Sequence, residues 1–213
     1  ESLTSAISLE VNGSNGTLST VQRQALATQA QNIQQQVMSL ANSEFQGVYL
    51  FGGTNSTSAP YTQSGSSITY QGDSNSNTVE VAPGVTVKSN LPGSTIFNKP
   101  GADVFQALQD LVSALQTGTA TDVGNVTQEL NSAFNNVGVQ RSNYDFALSQ
   151  VQTSSTIVTA DQYQLTQQQN TLMAADPATA ITNMEQAQAT LEAALSAGGK
   201  MSADSLLNYL PPA

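Results

Sequence analysis

Two spacings in this sequence have a chemical reading. Glu185 and Glu192 lie seven residues apart, which puts both carboxylates on one face of a helix, where a pair can divide acid and base roles. Asp73, Asn75 and Asn77 set side-chain oxygens at i, i+2 and i+4, as a calcium loop begins. Neither pattern is completed. Thr78 stands where a calcium loop needs glycine, and no distal glutamate follows. The glutamates are read as solvated helix charge and the Asp73 segment as a polar loop. The chain also contains no Cys, no His and no Trp. That excludes a thiolate nucleophile, an imidazole base, a disulfide framework and the usual zinc, haem and iron–sulfur ligand sets. No catalytic residue, cofactor or metal is expected, and the chain is read as a non-enzyme.

Charge is scarce: 9% of the 213 residues are Asp, Glu, Lys or Arg, against roughly 25% in ordinary globular domains. Ser, Thr, Asn and Gln fill the gap with 89 residues. Such a surface repels little and hydrogen-bonds well, which suits close packing of many copies. The net charge of −10 and five scattered cations argue against nucleic acid and anionic membrane, because both require clustered Lys and Arg. No run of about 18 apolar residues and no basic-then-apolar amino terminus occurs, so neither a membrane-spanning helix nor a signal peptide is expected.

Three changes of period set the elements that must carry these residues. Residues 1–47 read as helix, with a short piece around Leu3, Ala6 and Ile7 closing at Asn12-Gly13. A second helix, capped by Ser19 or Thr20, carries the seam Leu26, Ala30, Ile33, Val37, Leu40. Residues 48–100, rich in Gly and Pro, read as a small β module. There Ile68–Tyr70 is expected to form a hairpin with Thr78–Val81, with Val85–Lys88 as a third strand after Pro83-Gly84. Residues 101–175 return to helix: Asp103 caps a stretch with Val104, Phe105, Leu108, Leu111, Val112 and Leu115. A seam from Val126 to Leu172 then follows at three-four spacing. Asp176-Pro177 is expected to break that helix and start a last one in 176–213, with Ile181, Met184, Leu191, Leu195, Leu206, Leu207 and Leu210. An apolar stripe at 181–210 without a partner in the chain implies a missing helix or another subunit. The fold class is therefore α+β, mainly α: an elongated antiparallel helical bundle interrupted by a small inserted β module.

Several motifs carry a resemblance. Asn15-Gly16-Thr17-Leu18-Ser19 leading to Arg23-Gln24-Ala25-Leu26-Ala27 resembles the turn and helix of the flagellin superfamily. Glu44-Phe45-Gln46-Gly47-Val48-Tyr49-Leu50-Phe51-Gly52-Gly53-Thr54 is similar to its hook-associated protein 3 branch, as are Ile68–Asp73 and Asp103–Phe105. The segments Gln186–Leu195 and Ser205–Leu210 fit the superfamily's carboxy-terminal helix. The resemblance implies a flagellin-like rod that forms a homo-oligomeric ring between hook-associated protein 1 and flagellin. It also implies passage unfolded through the flagellar type III apparatus, with an export chaperone beforehand, and an extracellular place on the bacterial flagellum. The alternative is a flagellin-type filament subunit. The superfamily begins with a Met-led helix that pairs with the carboxy-terminal one. Here the chain starts at Glu1, so that helix is expected to lie outside this sequence. Subunit-interface candidates are Phe45, Tyr49, Leu50 and Phe51, which cluster aromatic surface beside two glycines, together with the terminal stripe Ile181, Met184, Leu191, Leu195, Leu206, Leu207 and Leu210. A hinge packed under the β module is the competing role for the first four.

Overall fold

A computed structural model describes residues 1–203. Its elements are, in order, α1 (Ser2–Gly13), α2 (Thr20–Ala41), β1 (Glu44–Phe45), β2 (Val48–Tyr49), β3 (Tyr61–Ser64), β4 (Ser67–Tyr70), β5 (Thr78–Ala82), β6 (Val85–Lys88), α3 (Gly93–Ile96), β7 (Asn98–Lys99), β8 (Ala102–Asp103), α4 (Val104–Thr117), α5 (Ala120–Asn125) and α6 (Thr127–Ala203). The chain is mainly α with a small β module, and it divides into two units, Glu1–Ser154 and Ser155–Ala213.

In the first unit, α2 packs on α1 and α4, and α5 packs on α1 and α4. Local sequence fixes the helix ends. Ser19 accepts from the Gln22 amide while the Gln22 side chain accepts from Ser19, a reciprocal capping box that satisfies two free donors at the start of α2. Asp103 caps α4 by accepting from the Gln106 amide at 2.9 Å, and Thr119 with Asp122 forms a second capping box on α5. The α4 stripe expected from the sequence is wholly inside: Val104, Phe105, Leu108, Leu111, Val112 and Leu115 are all buried. It meets Ala27, Ala30, Ile33 and Val37 of α2, Leu3 and Leu9 of α1, and Val126 and Leu130 of the next turns. Each large side chain so buried contributes roughly 1.5–3 kcal/mol. Gly13 closes α1 against this core; a methyl there would overlap the Leu115 side chain.

Several elements differ from the sequence reading. The second helix ends at Ala41 and residues 44–49 form a tight hairpin, β1–β2. Ala41, fully buried, holds the last core position, and Leu40 faces out. The Ile68–Tyr70 strand pairs with Tyr61–Ser64 over a Gly65-Ser66 turn and not with Thr78–Val81. Thr78–Ala82 pairs instead with Val85–Lys88 across Pro83-Gly84. A two-residue turn fixes hairpin register more cheaply than a seven-residue loop can. The β module is thus four two-stranded antiparallel ribbons and no larger sheet. The α6 helix runs through Asp176-Pro177 and Gly198-Gly199 without ending. Proline removes one backbone bond, at about 3 kcal/mol, and the Ala, Gln, Leu and Met on either side are good helix formers that bridge it.

Candidate functional site

The β module is fixed to the helices through an aromatic cluster and a set of neutral side-chain clamps. Tyr61 opens β3 and is 1% exposed. Its ring lies 4.9 Å from Phe105 of α4, 5.1 Å from Tyr70 of β4 and 5.7 Å from Phe97; Phe51 meets Phe97 edge-on at 5.3 Å. Burial, then the nearby Tyr70 and Asp103, pushes the Tyr61 phenol far above its ordinary value, and its hydroxyl has no hydrogen-bond partner. Asn42, which ends α2, clamps the same residue's backbone. The Tyr61 N–H donates to Asn42 Oδ1 at 2.8 Å, and Asn42 Nδ2 donates to the Tyr61 carbonyl at 2.9 Å. On the far side Asn136 of α6, 5% exposed, donates to the carbonyls of Thr95 (3.0 Å) and Ile96 (2.9 Å), closing the end of α3.

The loop that begins like a calcium site is stapled by its own carboxylate. Asp73 accepts from the Thr54 hydroxyl and amide and from the Asn75 amide, and these bonds lower its carboxyl pKa. Gly53 stands opposite at φ +74, where a side chain would run into the Asp73 carbonyl. Glu129 of α6 faces Asp110 of α4; burial first and that like charge second raise its carboxyl above the ordinary value. Glu185 and Glu192 are both exposed on α6. Among the described residues no three His, Cys, Asp or Glu side chains come together.

The four candidates in the Glu44–Thr54 segment separate. Phe51 turns into the aromatic cluster and Tyr49 is half-buried, while Phe45 is 65% exposed and Leu50 is also exposed. The β1–β2 hairpin turns at Gln46 and Gly47, both with positive φ (53° and 79°), the two-residue turn that suits strand twist. Beside it lies a cavity of about 560 Å³, walled by Val48, Leu50 and Phe51, by Leu91 and Phe97, and by Val137, Arg141 and Tyr144 of α6. Neither the cavity nor Asn42 and Asn136 was read from the sequence. The signal for Asn136 was its place next to seam residue Val137, and for Asn42 its place where the apolar period of α2 stops.

Further along α6 the apolar stripe faces outward. Tyr144, Leu148 and Val151 are exposed in the first unit, and in the second every described side chain from 155 to 200 is exposed. These include Val158, Leu165, Leu172, Ile181, Met184, Leu191 and Leu195. The unpartnered stripe therefore starts about forty residues earlier than expected at 181; a three-four period shows that a face is apolar and not what covers it. Leu206, Leu207 and Leu210 lie outside the described residues.

Taken together, the fold defines a class: a helical bundle with a ribbon-built insert between its helices, and a last helix that offers a long apolar face. No family model matches the chain. A curated relative, flagellar hook-associated protein 3 of Salmonella typhimurium, is 31% identical over 163 residues, covering 65% of this chain and 51% of the relative. The chain spans about half the length of that relative. Among solved structures, Bacillus cereus FlgL is 27% identical with a TM-score of 0.58, covering 74% of each chain. Hook-associated protein 3 of Legionella pneumophila has a TM-score of 0.65 at 14% identity, covering 73% of this chain and 83% of that one. FlgL of Xanthomonas campestris has a TM-score of 0.59 at 20% identity, covering 80% and 89%. The chain is thus similar in sequence to flagellar hook-associated protein 3 and shares its fold with FlgL structures, the resemblance that its motifs carried.

Proposed function

We propose that this chain is a structural subunit of the bacterial flagellum and forms the junction between the hook, through hook-associated protein 1, and the flagellin filament. The observation that carries this reading is the sequence similarity and shared fold with hook-associated protein 3, in a chain whose longest helix leaves its large apolar side chains from Tyr144 to Leu195 exposed. Such a face is stable in water when another helix or subunit covers it. The protein assembles as a homo-oligomeric ring outside the cell, after export unfolded through the flagellar type III apparatus from an export chaperone. The absence of Cys fits that route, since no oxidation step has to follow it. The interface residues are Phe45, Tyr49 and Leu50 on the β module and Ile181, Met184, Leu191 and Leu195 on α6, with Leu206, Leu207 and Leu210 beyond. It acts by packing and not as an enzyme.

The test is restoration of the full-length protein to a strain lacking its own hook-associated protein 3. Swimming and filament-bearing hooks in electron micrographs are the expected result. Chain secreted into the medium while hooks stay bare would overturn the junction role. The competing reading, a filament subunit, predicts long filaments from the purified full-length protein alone.

A further inference from the structure

We propose that the cavity between the β module and α6 receives the β1–β2 hairpin of a second copy of this chain, with Phe45 filling the apolar floor and Glu44 pairing with Arg141. The proposal rests on the ring of copies proposed above and assigns it a contact.

The cavity asks for a particular chemistry. Its volume, about 560 Å³, is that of a site for a bulky group, in the roughly 300–1,000 Å³ range of binding pockets. Its walls are Leu50, Phe51, Leu91, Phe97 and Val137, and Arg141 stands at its edge. Arg141 has one weak carboxylate neighbour, Asp145 at 3.9 Å, with both side chains largely in solvent. Lys88 lines the adjoining groove, which shares Leu91, Gln140 and Tyr144 with the cavity. One of the chain's five cations thus lines the apolar hollow and a second lines the groove beside it, on a protein of net charge −10. An occupant should bring a large apolar side chain with a carboxylate next to it.

The chain carries that combination on its own surface. Among the described residues of the first unit, the exposed large aromatics are Phe45, Phe134, Tyr144 and Phe146. Asp145, beside Tyr144 and Phe146, is the Arg141 partner, and Phe134 has no carboxylate adjacent in sequence. Glu44-Phe45 is an exposed aromatic beside an exposed carboxylate with no ion pair among the described residues, held on a rigid two-residue turn. A preformed hairpin loses little conformational freedom on docking, and aromatic residues and arginine are both enriched at protein interfaces.

The absence of Cys allows a clean trap. Full-length Gln46→Cys, at the exposed hairpin tip beside Phe45, and Tyr144→Cys are purified separately, mixed, and treated with a short bismaleimide cross-linker. Heterodimer should exceed that from Gln46→Cys mixed with Val21→Cys by roughly tenfold, the gain from local concentration at a specific contact. Glu44→Lys should abolish the excess, and Glu44→Lys with Arg141→Glu on the respective partners should restore it. Equal yields at Tyr144 and Val21, or an excess untouched by the charge reversals, would overturn the contact. Because the trap is run on purified protein, it can fail while the unmodified chain still restores filament growth. In that case the contact is wrong and the junction reading stands.

Discussion

Tyr61 is the place where the packing argument can be put to its hardest test. Its ring contacts three other aromatic rings within 6 Å, yet its buried hydroxyl has no partner. Tyr61→Phe keeps the ring and deletes the unpaired group. Leaving a polar group buried and unsatisfied costs about 1–3 kcal/mol, so the variant should be as stable as the parent near neutral pH or more stable by up to about 1 kcal/mol. The alkaline limb follows from the same burial. The folded phenol titrates well above the unfolded value of about 10, so the folded state holds its proton after the unfolded chain has lost it. The stability this gives is fully present below pH 10. It falls above that at up to about 1.4 kcal/mol per pH unit, or about 2 kcal/mol by pH 11.5. Tyr70, whose phenol is also raised chiefly by burial, adds a weaker decline of the same sign. Urea unfolding followed by helical circular dichroism should give the same slope for parent and variant below pH 10 and a shallower fall for Tyr61→Phe above it. An equally steep alkaline fall in the variant, or a loss beyond about 1 kcal/mol at pH 7, would refute the reasoning, the second by showing that the hydroxyl has a partner.

Two further predictions concern how the parts are held. Asn42→Ala removes both bonds to the Tyr61 backbone and leaves a part-buried N–H and C=O unpaired; it should cost about 2–3 kcal/mol and speed hydrogen exchange at the Tyr61 amide, while Asn42→Asp retains the acceptor half. A chain ending at Ser154 should unfold at the urea midpoint of the full chain while losing the helical signal of the removed residues, since the described side chains from 155 to 200 are all exposed; a lowered midpoint would show that they support the core.

What the sequence disclosed followed from how local its causes were. The α4 stripe was legible to the residue because Asp103, the apolar period and Thr117-Gly118 all lie within sixteen positions and agree with one another. The seam of α6 was legible as far as Val137, where chain-internal partners exist. Beyond that the period continued while the partners did not, and spacing alone cannot separate a core from an interface. Tyr61–Ser64 escaped notice because three of its four residues are polar and Pro60 precedes it; its strand character comes from Asn42 and the rings around Tyr61, which are distant in sequence. The cavity was invisible for the same reason, since its walls come from three separate stretches.

The two asparagine clamps have a mechanical meaning. The insert is held to α2 by Asn42 and to α6 by Asn136, so a force applied to it is shared between two helices. Neither joint contains an ionisable group. Salt screens charge pairs and acid discharges them, but an amide bonded to backbone carbonyls and amides is indifferent to both. The attachment should therefore hold with the same stiffness in dilute and in saline surroundings, a property a lysine–glutamate joint at the same places could not supply.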